Sequence, residues 1–173
     1  GGCPTPTRTG YTFGGWFTST NGAGTQILST TIAARTSSQT LYAKWTVNQY
    51  TVTFDAAGGT GGTSGSMTYG ATLTAPTVIK TGYVFTCWSQ AVPATVGAEN
   101  ATYTAQWNLL GDIGSDNHIN ALDALIALRA SSGKTALTDI QKLFADVSKD
   151  GKVNSLDALM ILKYASGKIT SFE

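Results

Sequence analysis

The feature that most limits what this chain can fold into is an acidic twelve-residue segment that occurs twice. Residues 112–123 and 146–157 align without a gap, and the similarity runs on through residues 124–134 and 158–168 at a constant offset of 34, from 112 to 146. A match that keeps one offset over this length indicates a duplicated structural unit. We therefore expect two copies of one local fold in the last third of the chain.

Each segment has oxygen-bearing residues at the spacing of a calcium loop. Calcium takes about six to eight oxygen ligands, and a twelve-residue loop provides them from positions one, three, five, seven, nine and twelve, with a sharp turn at position six. The second segment is complete, whereas the first has Gly114 at position three and Asn117 at the turn. We therefore predict two calcium ions, with the first site weaker or more hydrated. The predicted ligands are Asp112, Asp116, the His118 carbonyl, Asn120 and Asp123 in the first loop, and Asp146, Ser148, Asp150, the Lys152 carbonyl, Asn154 and Asp157 in the second.

Both loops lead into a helical pattern, which disfavours the alternative that they are solvated acidic turns. Apolar and basic residues recur at the i, i+3, i+4, i+7 spacing of one helix face, and a Ser-Gly pair ends each pattern. A shorter helix is predicted at about residues 137–145. No helix is expected before the first loop, because residues 107–110 are too few and follow a strand. The two helix faces consist of Leu122, Leu125, Ile126 and Arg129, and of Leu156, Leu159, Met160 and Lys163.

Two such loops with Asp in the twelfth position, a helix after each loop and a linking helix resemble a type I-like dockerin over about residues 111–169. The resemblance implies a small all-α module with two calcium-binding loop–helix motifs, known as F-hands. It also implies a cohesin partner on a scaffoldin or cell-wall anchor, in the extracellular cellulosome-type assemblies that bacteria use for polysaccharide degradation.

The resemblance further implies which residues contact cohesin. For Leu122 and Leu156, cohesin contact and core packing remain equal alternatives, whereas Leu125 and Leu159 are expected to pack in the core. Because both halves offer the same surface, the module could bind in two orientations, but the differences between the halves favour one. The implied contact residues are Ala121, Leu122, Leu128 and Arg129 in one half, and Ser155, Leu156, Leu162 and Lys163 in the other.

The first part of the chain differs in composition and contains another repeat. Residues 1–110 hold two acidic and four basic residues, whereas residues 111–173 hold eight and seven. Such a change indicates a domain boundary. Residues 8–16 recur as residues 80–88, and residues 40–45 recur as residues 102–107. We therefore predict a partial first β repeat at residues 1–46, a second β repeat at 47–108 and the dockerin at 111–173.

Both copies contain Gly-Tyr-x-Phe-x-x-Trp and a closing Ala-x-Trp, which resemble the Listeria–Bacteroides repeat, also called the InlB B-type repeat. The resemblance implies a β-grasp-like fold on bacterial surface proteins. Cys87 replaces the usual glycine, and the first copy lacks an opening strand. The repeated tryptophans could stack on sugars, but their recurrence favours a role as core anchors. The four tryptophans are Trp16, Trp45, Trp88 and Trp107.

Several classes of function are disfavoured by what the chain lacks. A net charge of +1 gives no polycation for nucleic acid, and no apolar run reaches the roughly 18 residues of a membrane helix. The β repeats have only Asp55 and Glu99 as acids and no histidine, so no catalytic set is expected. Cys3 and Cys87 could be bridged or free. We expect a non-catalytic assembly module whose repeats act as a stabilising spacer or X-module. The alternative is a carbohydrate-binding or adhesive β module anchored through the dockerin.

Overall fold

The computed structural model describes residues 3–28 and 38–172, in which a β-sheet region is followed by three short helices. This order confirms the prediction of a β-rich part followed by a small helical part, whereas the β-grasp-like assignment stays a prediction. None of the described helices has the length and apolar character needed to cross a membrane. The strands are β1 Tyr11–Phe17, β2 Gln26–Ile27, β3 Tyr42–Val47, β4 Gln49–Asp55, β5 Thr63–Thr68, β6 Tyr83–Trp88 and β7 Ala101–Leu109, and the helices are α1 Ala121–Ser131, α2 Asp139–Ala145 and α3 Ser155–Ala165.

The strands form one sheet in the order β2-β1-β3 and another in the order β5-β4-β7-β6. Strand β1 pairs antiparallel with β3, so that Phe13 lies opposite Trp45, and β6 pairs antiparallel with β7, so that Phe85 lies opposite Trp107. Both pairings contain a register shift directly after the phenylalanine. The same register and the same bulge therefore recur in the two sequence repeats.

The chain divides into two compact units. The first consists of Gly1–Thr53, Ser64–Thr74 and Val92–Thr102, and the second of Phe54–Thr63, Ala75–Ala91 and Tyr103–Glu173. The second unit therefore contains β6, most of β7 and all three helices. The helical part and the last strands of the second repeat thus belong to one packed body.

The four tryptophans hold equivalent places in the two repeats. All four are half-buried, and the indole N–H groups of Trp16 and Trp107 each donate to a backbone carbonyl at 2.8 Å. Their rings pack edge-on or tilted against phenylalanine, as aromatic pairs prefer. This arrangement supports the predicted role as core anchors. The ring centroid distances are 5.6 Å for Phe13–Trp16, 5.5 Å for Phe13–Trp45, 5.3 Å for Phe85–Trp88 and 5.7 Å for Phe85–Trp107.

The last aspartate of each acidic segment sets how α1 and α3 are rotated. Asp123 and Asp157 occupy the third helical position and complete capping boxes with Asn120 and Asn154. Both aspartates are buried, at 1% and 0% exposure. Residues three and four positions apart share one side of a helix. The residue four positions after each aspartate therefore also turns inward, and so does the residue three positions before that one. They are Ala124 and Ala127 in α1, and Ala158 and Ile161 in α3.

The expectation that Leu125 and Leu159 pack in the core is wrong. Their side chains are 46% and 47% exposed. The inward-facing alanines and Ile161 form the core between the helices instead, since the buried aspartates leave the leucines on the outer side. The leucines of the predicted stripes are therefore surface residues, whereas Ile126 and Met160 are half-buried and pack against this core.

The core of the helical part extends into the second β repeat. Leu110, Ile113 and Phe144 belong to one buried cluster, and Val84 of β6 packs against it. The backbone N–H of Leu110 donates to the Gly82 carbonyl at 2.9 Å. The helical part and the last strands of the second repeat therefore share one core.

A side chain at Gly111 would contact the ring of Phe172, near the end of the chain. Its φ is +98°, and a Cβ atom there would lie 2.9 Å from the ring of Phe172, which stacks on Tyr164 at 4.8 Å between centroids. We expect Gly111→Ala to lower the free energy of unfolding by roughly 1 kcal/mol more than a glycine substitution that meets no neighbour, because the ring must move. Thermal unfolding followed by circular dichroism measures this difference.

The matched control for this change is Gly133→Ala. Gly133 also has a positive φ, +73°, but a Cβ atom there would meet nothing within 4 Å. Both variants carry the strain of a left-handed alanine, so their difference reports the contact with the ring. Equal losses in the two variants would show that Phe172 does not constrain Gly111.

Candidate metal centre

The carboxylates of the first acidic loop form the centre of a cation-binding arrangement. Asp112 accepts the backbone N–H groups of Asp116 at 3.1 Å and Asn117 at 2.8 Å. Asp123 accepts those of Gly114 at 2.8 Å and Asn120 at 2.9 Å. Asp112, Asp116 and Asp123 each offer a carboxylate oxygen, and these oxygens lie within 4.8 Å of one another. The sequence prediction of an acidic cluster in this loop is therefore confirmed.

The second loop repeats this hydrogen-bond pattern atom for atom. Asp146 accepts the backbone N–H groups of Asp150 at 3.1 Å and Gly151 at 2.8 Å. Asp157 accepts those of Ser148 at 3.0 Å and Asn154 at 2.8 Å. The duplicated sequence thus folds into two loops with the same hydrogen bonds between backbone and carboxylates. Among the described residues, the carboxylates that come within 4.8 Å of one another are those of the first loop.

The donor set and its burial fit a hard divalent cation. Asp112 and Asp157 are 0% exposed, and burying a carboxylate is costly unless it is hydrogen-bonded and its charge is compensated. Within residues 3–28 and 38–172, the ion pairs formed involve Asp116 and Asp139, not these buried carboxylates. Oxygen-only donors in a twelve-residue loop are what calcium prefers, so the residues present fit this ion.

The turn of each loop uses left-handed backbone at two positions. Position six is left-handed in both loops, at Asn117 with φ +65° and at Gly151 with φ +83°, as the sequence predicted. Position four is left-handed as well, at Ser115 with φ +57° and Lys149 with φ +58°. The sequence reading missed position four because neither residue is a glycine or an asparagine.

The asparagines at position nine also cap the following helices. The side-chain oxygen of Asn120 accepts the Leu122 N–H at 2.7 Å, and its amide donates to Asp116 at 3.3 Å. Asn154 does the same with Leu156 at 2.7 Å and Asp150 at 3.0 Å. This double role was not predicted, although Asn is a favoured N-cap residue. The side-chain oxygens of the predicted ninth ligands thus already accept a helix N–H group.

Position three differs between the two loops, whereas the residue at position seven is exposed in both. Ser148 donates its hydroxyl to Asp146 at 3.3 Å, whereas Gly114 at the same position has no side-chain oxygen. The His118 ring is exposed, with Nδ1 2.9 Å from the Asp116 carbonyl oxygen, which agrees with a role through its backbone carbonyl. Lys152, its counterpart, is also exposed.

The helices display two equivalent apolar surfaces beside the loops. We call Ala121, Leu122, Leu125, Leu128 and Arg129 the first leucine face, and Ser155, Leu156, Leu159, Leu162 and Lys163 the second leucine face. Every member of both faces is exposed, and the six leucines are 46% to 55% exposed. All eight residues that were expected to contact cohesin are therefore available to a partner. Apolar surface of this kind, repeated on two helices, is typical of an interaction site.

The two cysteines lie outside these features. Cys3 and Cys87 are both free thiols with exposed side chains. Of the two alternatives left open by the sequence, the structure has the unbridged one.

Comparison with known proteins identifies both parts of the chain. The dockerin type I domain matches residues 110–165, and the Listeria-Bacteroides repeat domain matches residues 2–44 and 50–113. Internalin H of Listeria monocytogenes is 41% identical over 87 residues, which is 50% of this chain and 15% of that protein. A "Putative Gly-rich membrane protein" of Evansella cellulosilytica is 29% identical over 124 residues, which is 59% of this chain and 14% of that protein.

The aligned region is thus a small part of these relatives, about one seventh of their length. The repeat domain matches more than half of this chain, and neither matching domain is a catalytic one. The chain therefore belongs to the Listeria-Bacteroides repeat family, and its repeats are followed by a dockerin type I domain.

Proposed function

We propose that this chain is a calcium-dependent docking module that binds a cohesin domain through its leucine faces. The dockerin domain implies a cohesin-binding assembly module. The observation that carries the finer proposal is the connection between each acidic loop and the exposed face beside it. The residues that close the loop also fix the rotation of the helix that carries the leucines.

The connection runs through Asp123 and Asp157. Each aspartate accepts two backbone N–H groups of its loop and stands in the first turn of its helix. Calcium, when bound, would provide the positive charge that holds the loop carboxylates together. With Asp123 turned inward, Leu122, Leu125 and Leu128 turn outward. Ordering the loop therefore presents the leucine face.

The basic residues at the edges of the two leucine faces favour a partner whose contact surface has an acidic rim. Arg129 and Lys163 occupy equivalent exposed places in the last turns of α1 and α3. Exposed charges around an apolar contact raise association rates and selectivity more than affinity. The cohesin surface that fits both features is apolar at its centre and acidic at its edge.

The proposed setting is extracellular, on a bacterial cell surface. We place the cohesin on a scaffoldin or a cell-surface anchor, in a cellulosome-type assembly that degrades polysaccharide. The repeats would serve as an X-module that stabilises the dockerin, which the shared core of Val84 and Leu110 supports. The similarity to Internalin H and to proteins named as membrane proteins also favours a surface location.

Binding to a panel of cohesins tests the proposal. The full chain should be retained by at least one cohesin in excess calcium and released by EDTA. A chain that binds no cohesin in calcium, or that stays bound in EDTA, contradicts it.

A carbohydrate-binding or adhesive role for the repeats is the alternative. Half-buried tryptophans could stack on sugars, but two of the indole N–H groups already bond the backbone. A glycan array probed with the full chain distinguishes the two roles, since sugar binding that needs Trp16 or Trp45 would favour the alternative.

A further inference from the structure

We propose that strand β7 of the second repeat is the entering element of the first calcium loop, and that Asn108 is a positioning residue for that loop. A calcium loop flanked by helices is held at its first residue by the helix that precedes it. In the described part of the chain, β7 and not a helix leads directly into residue 112, so the repeat fills that place. This proposal rests on the proposed function, because it takes residues 112–123 to bind calcium.

The two loops begin from different elements but form the same hydrogen bonds between backbone and carboxylates. Asp146 directly follows α2, and its N–H donates to the Lys142 carbonyl at 3.0 Å, in the last turn of that helix. Asp112 follows β7, and its N–H donates to the Leu109 carbonyl at 3.1 Å, at the end of that strand. The end of β7 thus positions Asp112 with a backbone hydrogen bond, as the last turn of α2 does for Asp146.

Asn108 contacts the backbone of the same residue, Asp112, at its carbonyl group. Its side-chain amide donates to the Asp112 carbonyl at 3.2 Å. Asp112 is fully buried and accepts the N–H groups of Asp116 and Asn117. A shift of the Asp112 backbone would therefore move both partners at the centre of the loop.

The two residues between β7 and the first loop are also held by backbone hydrogen bonds to neighbouring elements. Leu110 donates to the Gly82 carbonyl beside β6 at 2.9 Å, and Gly111 donates to the Phe144 carbonyl in α2 at 2.8 Å. Since Leu110 and Val84 share the buried cluster of the helices, the β6–β7 pair cannot shift without moving the start of the loop. Calcium binding at the first loop and folding of the β6–β7 pair should therefore stabilise each other reciprocally.

The competing interpretation is that Asn108 only satisfies a carbonyl at the end of a strand. In that case its loss would lower stability without changing the affinity of one loop over the other. Each loop contains a single glycine, Gly114 in the first and Gly151 in the second. The amide resonances of these two glycines therefore report the two sites separately in one calcium titration.

The experiment is a calcium titration of the full chain by NMR, with Asn108→Leu as the test variant. Loss of the half-buried donor should weaken calcium binding at the Gly114 reporter by roughly fivefold to tenfold and leave the Gly151 reporter within about twofold. Asn108→Gln keeps an amide donor and should retain more of the affinity at Gly114 than Asn108→Leu. The resonances of β6 and β7 verify that each variant is folded.

The matched control is Gln106→Leu. Gln106 lies two residues earlier on β7, is exposed, and its side-chain amide donates to the Thr104 carbonyl of its own strand at 3.4 Å. We expect no change at either reporter. Equal weakening at both reporters in Asn108→Leu, no weakening at Gly114, or a Gln variant as weak as the Leu variant overturns the inference. If the Gly114 resonance of the native chain does not change during the calcium titration, the proposed function itself is contradicted.

Discussion

Replacing Asp157 with alanine should eliminate the second calcium site and unfold the helical part of the chain. The carboxylate is fully buried and accepts the backbone N–H groups of Ser148 and Asn154. Each buried donor left without an acceptor costs about 1–3 kcal/mol. The variant also loses the stabilisation from bound calcium. Together these losses are a large share of the roughly 5–15 kcal/mol that stabilises a typical domain.

Calorimetric calcium titration and thermal unfolding measure this effect. The native chain should bind two ions and Asp157→Ala at most one, with a lower unfolding temperature in excess calcium. Asp157→Asn keeps the shape and one acceptor oxygen, so it should fold more readily than the alanine variant while still losing the ion. Two ions bound to either variant would show that Asp157 is not a ligand.

Asp139→Ala is the control for loss of an acidic side chain. Asp139 is on the surface of α2 and pairs with Lys142 at 2.8 Å. Exposed ion pairs contribute little to stability, so neither the ion count nor the unfolding temperature should change appreciably. The contrast between the two aspartates separates a buried loop ligand from an ordinary surface charge.

Disabling the two leucine faces one at a time should have unequal effects on cohesin binding. We expect that either Leu122→Asp with Arg129→Ala, or Leu156→Asp with Lys163→Ala, weakens binding by at least about thirtyfold, as loss of an interface hot spot does. The other pair should change it much less. The two faces differ in that the first has Ala121 where the second has Ser155. The helices also differ in that Tyr164, which stacks on Phe172, stands where the first half has Ala130.

Titration calorimetry with a cohesin found in the panel measures both pairs. If each pair alone leaves binding intact and only the combined variant loses it, both orientations are used. If each pair alone abolishes binding, one orientation engages both faces at once. Leu143→Asp is the control, because Leu143 is an equally exposed leucine, at 56%, on α2 and outside both faces.

Sequence reasoning succeeded where a residue type has one physical role. The two loops, their turns at Asn117 and Gly151, and the presence of a helix after each loop follow from oxygen spacing, backbone freedom and apolar periodicity. The recurring Gly-Tyr-x-Phe-x-x-Trp pattern likewise predicted the strands that became β1 and β6. These features are local, so the residues that specify them are close together in the sequence.

It failed where the role of a residue depends on its distant surroundings. Leu125 and Leu159 were expected in the core because an apolar stripe on a helix usually faces inward. These leucines face outward because the buried aspartate three residues into the helix fixes the rotation, and small residues such as Ala127 fill the interior. The contact from Asn108 to Asp112 was missed for a similar reason, since no motif marks a strand that leads into a calcium loop.

The most direct test of the account is the affinity of the full chain for its cohesin as a function of free calcium. If the loops order the leucine faces, cohesin binding and calcium binding must strengthen each other. Titration calorimetry should therefore show tight binding in excess calcium and a loss of measurable binding in EDTA, restored when calcium is added back. Equal affinity with and without calcium would contradict the proposal that the acidic loops control docking.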